Sequence, residues 1–168
     1  MHHSADLETL LEAFCAGPDQ LRAALEGLSE ADFDLALDEG GWSIRQVVHH
    51  VVDGDDLWQI GLLAALGSPP SFDLKWYWSI PQEEWARLWH YAERPIEPAL
   101  LFFSANRQHT AQLLRAIPGA LERQVQVDWP TAGLRPLSVR EIIEMQTRHV
   151  AGHIADIQRT LRGQAHGV

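Results

Sequence analysis

Four stretches of this chain repeat apolar residues at three- and four-residue intervals, and that period restricts the fold more than any other feature of the sequence. Residues so spaced share one face of an α-helix, so each stretch predicts a long helix with a face to bury. The first is capped by Ser4, has Asp6 and Glu8 in its opening turn, and carries Leu7, Leu10, Leu11 and Phe14. Gly17-Pro18 breaks or kinks it, and a continuation over 19–28 begins with proline in its first turn. The second, 44–66, follows a Ser43 cap and aligns Ile44, Val47, Val48, Val51, Asp55, Trp58 and Leu62, with Gly67 and Pro69-Pro70 as its stop. Such a helix is about 33 Å long, the full height of a bundle.

The third starts at Pro95 and Pro98 and runs to Ile117, with Leu101, Phe102, Ala105, His109 and Leu113 on the face expected to point inward. Pro118-Gly119 ends it. The fourth follows Ser138, with Glu141 completing a capping box, and extends to about Arg162. Between the second and third lies an aromatic stretch, 68–82, holding Phe72, Trp76, Tyr77 and Trp78, then a short helix over 82–91. Those aromatics suit either a crossover packed on the bundle or a wall for an apolar ligand. Val125, Val127 and Trp129 alternate with polar residues and predict a short strand, and 130–136 reads as a turn-rich loop. The expected fold is all-α: one domain over 1–168, a four-helix bundle with a long aromatic-rich crossover between helices two and three and a short tail from about 163.

Composition excludes some functions. The net charge of −10, from 23 acidic and 13 basic residues, leaves no basic stripe for nucleic acid. Cys15 is the single cysteine, which rules out an internal disulfide and a thiolate metal cluster; beside an apolar stripe it reads as a small core residue. The N-terminus lacks the pattern of a signal peptide, and no apolar run is long enough to span a bilayer, so the expectation is a cytoplasmic protein with no membrane partner.

His149 and His153, four residues apart, lie one above the other on a shoulder of the fourth helix's apolar stripe. Chance alone produces such pairs in a histidine-rich chain, so a third ligand is needed. Helix two offers His49 and His50. Projection places His49 with Arg45, Asp53 and Asp56 on a solvated side, and His50 on a flank shared with Val47, Gly54, Leu57 and Gly61. His50 is therefore the better inward ligand. Three neutral imidazoles suit zinc, nickel or iron at about 2.0–2.1 Å with a position left open. Asp53, Gln146 and Asp156 are spaced to orient the rings. The alternative is three hydrogen-bonded core histidines. His109 reads as packing, and His90 and His166 have no evident partners. No Ser-His-Asp or Cys-His constellation is present; Asp53 and Asp55 are geometric possibilities for a general base, and the catalytic residues stay unassigned.

The segments Pro18-Asp19-Gln20-Leu21-Arg22, Gly41-Trp42-Ser43-Ile44-Arg45-Gln46-Val47-Val48-His49-His50-Val51-Val52-Asp53 and Arg148-His149-Val150-Ala151-Gly152-His153-Ile154 resemble the DinB-like superfamily. They are most similar to its YfiT-like branch of metal-dependent hydrolases and bacillithiol transferases. The resemblance implies a homodimeric four-helix bundle with a divalent metal ion on His50, His149 and His153. Gly54-Asp55 and Val150 depart from that branch, where further histidines stand, so the outer site differs. The function expected is a metal-dependent enzyme that activates a low-molecular-weight thiol (S-transferase) or water (hydrolase) against a small-molecule substrate. The alternative is a non-catalytic metal- or small-ligand-binding bundle.

Overall fold

A computed structural model of the protein describes residues 2–36, 41–67 and 72–165. In chain order the elements are α1 (His2–Ala24), α2 (Ile44–Gly67), the short α3 (Lys75–Trp78) and α4 (Gln82–Leu88), α5 (Ile96–Ala116), the strands β1 (Gln124–Trp129) and β2 (Gly133–Ser138), and α6 (Val139–Ala165). The expected stop at Pro69-Pro70 and the residue His166 lie outside the described residues. The four long helices form a bundle in which α1 packs on α6 and α5, and α2 packs on the same two. Sequence neighbours α1 and α2 therefore sit across a diagonal, and α2 lies directly beside α6.

Local chemistry accounts for the helix starts. Ser43 Oγ accepts from the Gln46 N–H at 3.3 Å while Gln46 Oε1 accepts from the Ser43 N–H at 2.9 Å, a reciprocal capping box for α2. Ser138 and Glu141 repeat it for α6: the Glu141 carboxylate accepts from the Ser138 N–H at 2.7 Å and from its hydroxyl at 2.6 Å. Helix α1 differs from expectation at both ends. It begins at His2, so Ser4 lies within it, and it runs unbroken through Pro18 to Ala24.

The turn-rich loop expected at 130–136 is in part a strand. β2 pairs antiparallel with β1, from Gln124 opposite Ser138 to Trp129 opposite Gly133. Gly133 takes φ 65°, a left-handed turn conformation that glycine adopts freely. Pro136 is tolerated within it because β2 is an edge strand. The crossover touches this hairpin: the Phe72 N–H donates to the Gln126 carbonyl at 2.8 Å.

The inward face of α5 is not the one expected. Leu101 and Phe102 are 59% and 46% exposed and His109 is exposed; Leu100, Phe103, Arg107, Thr110, Ala111 and Leu114 are buried. The reason is Arg107, whose side chain is fully buried at the middle of the bundle. Its Nη2 and Nε donate to Asp55 of α2, at 2.7 Å and 3.2 Å to Oδ1. Nη2 also donates to the Gln146 carbonyl of α6 at 3.2 Å, and Nη1 to the Phe14 carbonyl of α1 at 2.6 Å. The Phe14 and Phe103 rings cover the guanidinium at 4.1 and 4.6 Å.

Pro18 and Gly17 prepare that niche. Proline has no N–H, so the carbonyl four residues back, that of Phe14, loses its helical donor, at a cost of about 3 kcal/mol. A hydrogen bond from a charged donor, worth about 1.5–3 kcal/mol, offsets much of this. A Cβ on Gly17 would stand 2.5 Å from Arg107 Nη1, so any larger residue would push the guanidinium out of this position. This polar layer divides the apolar core into two clusters, one around Phe14, Leu62, Leu114 and Ile143 and one around Leu21, Val48, Phe103 and Val150.

Candidate metal centre

The packing of α2 on α6 brings three of the expected side chains together. His50, His149 and His153 each offer a ring nitrogen within 4.8 Å of the others. His149 Nε2 lies 3.1 Å from His50 Nε2 and 3.1 Å from His153 Nε2. The rings meet edge to face, His50 at 77° to His149 and 85° to His153. Trp42, just ahead of α2, stands edge-on to His50 with ring centres 4.8 Å apart.

Electrostatics keeps the cluster neutral. Burial, reinforced by the repulsion of His149 and His153, pushes His50 down from 6.5 to about 3. Burial, His153 and the Arg107 charge push His149 down to about 4. His153 is lowered by burial, with Asp156 pulling the other way. At neutral pH these are three uncharged imidazoles.

Their arrangement is incomplete as a hydrogen-bond set. An imidazole nitrogen has one in-plane position, filled by a proton or a lone pair, so His149 Nε2 cannot satisfy two neighbours at 3.1 Å. A cation that accepts a lone pair from each ring removes the conflict, and a tetrahedral ion at about 2.0–2.1 Å holds its ligands about 3.3–3.4 Å apart, close to the two 3.1 Å separations at His149. The residues present thus fit a divalent metal. Among groups suited to orient the rings, Asp156 Oδ2 is 4.0 Å from His153 Nδ1. Gln146, one turn before His149, is buried and its Oε1 has no partner. Asp53 instead faces Arg94 at 3.3 Å.

His49 is not solvated, as its projection beside Asp53 suggests, but 1% exposed. It points away from the cluster, with Nε2 3.1 Å from the Arg94 carbonyl and its ring stacked on Tyr91 at 5.6 Å. Neither proposed base reaches the histidines: Asp53 is paired with Arg94 and Asp55 with Arg107. His90 is paired with Glu93 on the surface, and Cys15 is half-buried against the Arg107 carbonyl.

A cavity of about 200 Å³ adjoins His50 and His149, walled by Trp58, Tyr77, Trp78 and Trp129. Both readings of the aromatic crossover therefore hold in part: Trp76 and Trp85 pack on one another, while Tyr77 and Trp78 face the cavity. What the sequence did not show is the part of Trp129, which reaches the cavity only through the hairpin.

The chain is 26% identical over 163 residues to a protein from Geobacillus thermodenitrificans provisionally named a metal-dependent hydrolase, covering 90% of this chain and 82% of that one. A similarly named protein from Oceanobacillus iheyensis is 30% identical over 141 residues, covering 83% and 77%. Among solved structures, the fold matches YfiT from Bacillus subtilis, described as having an unusual four-helix bundle topology and an inferred metal-dependent hydrolase activity. That match has a TM-score of 0.82 at 20% identity, covering 95% of this chain and 87% of that one. The family model of the DinB superfamily matches residues 13–157. With the bundle, its diagonal connection and the three-histidine cluster in place, that match shows that the chain belongs to the DinB superfamily.

Proposed function

We propose that the protein is a metal-dependent enzyme in which His50, His149 and His153 hold one divalent ion, zinc, nickel or iron, beside a cavity for a small molecule. The observation that supports this reading is the convergence of three neutral imidazoles from two helices, with His149 Nε2 3.1 Å from both others. A bound divalent ion supplies Lewis acidity, which makes the proton of a water or thiol labile at neutral pH. The chain supplies the rest. Its histidines stay unprotonated and ready as donors, and α2 and α6 fix them from adjacent faces of the bundle.

Among the described residues no carboxylate lines the cavity. A nucleophile that yields its proton easily suits such a site. A thiol, with a pKa of about 8.5, needs much less assistance than water at about 15.7. Thiol S-transfer, with a low-molecular-weight thiol as cosubstrate, is therefore our first reading, and hydrolysis, after the names of the relatives, the second. Elemental analysis of the purified protein should find one divalent ion per chain, and His153→Ala should lose it together with conjugation of a thiol to an electrophile. Full metal occupancy in that variant would overturn the ligand set. Stoichiometric metal with neither conjugation nor hydrolysis would favour the non-catalytic metal-binding alternative.

A further inference from the structure

We propose that the cavity beside His50 and His149 seats an uncharged, flat aromatic group that carries one hydroxyl or amide. Calling the occupant a substrate rests on the enzymatic reading above; its binding does not.

The charges come first. No Asp, Glu, Lys or Arg lines the cavity among the described residues, and two basic residues of the crossover side are already paired, Lys75 with Asp128 at 2.7 Å and Arg94 with Asp53 at 3.3 Å. A charged group seated here would lose its water and gain no counter-charge. The rings decide shape. Trp58 and Trp129 lie 5.5 Å apart at 31°, and Trp129 and Trp78 6.1 Å apart at 29°, with Tyr77 closing the far end at 64° to Trp78. Three indoles, each tilted about 30° to the next, offer faces on which another flat ring can stack.

The unmatched polar atoms decide the handle. The Trp78 indole N–H, the Gln146 side-chain carbonyl and His149 Nδ1, all on lining residues, are buried without a hydrogen-bond partner in the structure. A hydroxyl or amide carries both an acceptor of the kind the first lacks and a donor of the kind the second lacks. Gly54 keeps the histidine side open: even a Cβ there would come no nearer than 3.8 Å to His149 Cε1.

Benzyl alcohol, benzylammonium and benzoate share a ring and differ in charge. Their binding to the full chain can be compared by ligand-observed NMR after chelator treatment, because benzoate could otherwise ligate an ion. Benzyl alcohol should bind at least about tenfold more tightly than either ion. Gly54→Leu and Leu57→Trp, each checked for helical circular dichroism, should weaken it by a similar factor. Tighter binding of benzylammonium or benzoate, or unchanged binding in whichever variant folds, would overturn the proposal. Failure of benzyl alcohol to bind a protein that holds stoichiometric metal counts against the cavity assignment alone. Binding by a protein that takes up no metal counts against the enzymatic reading alone.

Discussion

His49 and His50 are neighbours in sequence with separate tasks in the fold. The 100° step between them turns His50 toward α6 and His49 toward the segment after α4, where it meets the Arg94 carbonyl. That His50 faces α6 was legible from helical projection, because small residues on its flank left room for a partner helix. The burial of His49 was not, because what covers it lies some forty residues further along the chain and shows no local pattern. The two positions should respond differently to truncation. His50→Ala should abolish stoichiometric metal binding with little loss of helix, whereas His49→Ala should keep the metal and lower stability by about 1–3 kcal/mol. Metal analysis and urea unfolding of both variants check this.

At the scale of elements, capping and periodicity carried most of the information. Of the α6 stripe, Val139, Ile142, Ile143, Gln146, Val150 and Ile157 are buried and Ile154 and Leu161 half-buried, and two of the three expected serine caps, Ser43 and Ser138, form as their spacing predicts. The α5 face was misread because a buried arginine and a buried threonine look like solvent residues until their partners are known: Asp55 for Arg107 and Gln59 for Thr110. β2 was missed because its side chains are mostly exposed and one of them is proline. The α6 cap also carries a pH dependence. Hydrogen bonds from the Ser138 hydroxyl and N–H hold the Glu141 carboxyl below its ordinary value of 4.5. Its stabilisation is complete above that value and is lost as pH falls through the lower folded one. Ser138→Ala should therefore cost about 1 kcal/mol at pH 7, and the gap to the parent should narrow in urea titrations below about pH 4.5.

Across the whole molecule, the diagonal placement of α1 and α2 had no sequence signal, since helical stripes do not say which neighbour they face. The Arg107 layer supplies a physical reason for one arrangement to win. Its guanidinium reaches α1, α2 and α6 at once, so sliding any helix past its neighbours would break a buried charged hydrogen bond. Removing one side of the pair leaves the other charge buried and alone. Arg107→Met and Asp55→Leu should each cost about 3–5 kcal/mol, and the double variant should cost less than their sum. Chemical unfolding of the three proteins measures the coupling; simple additivity would show that the layer does not act as a unit.

The same niche restricts how this sequence can change. Gly17 makes space, Pro18 strips a donor from the Phe14 carbonyl, Arg107 fills the gap and Asp55 balances its charge. Each residue suits the protein only because the other three are present. A proline introduced before the arginine would break the helix, and an arginine introduced before the glycine would have no room. Mutational routes into or out of this arrangement are thus ordered, and the four positions should drift as a block.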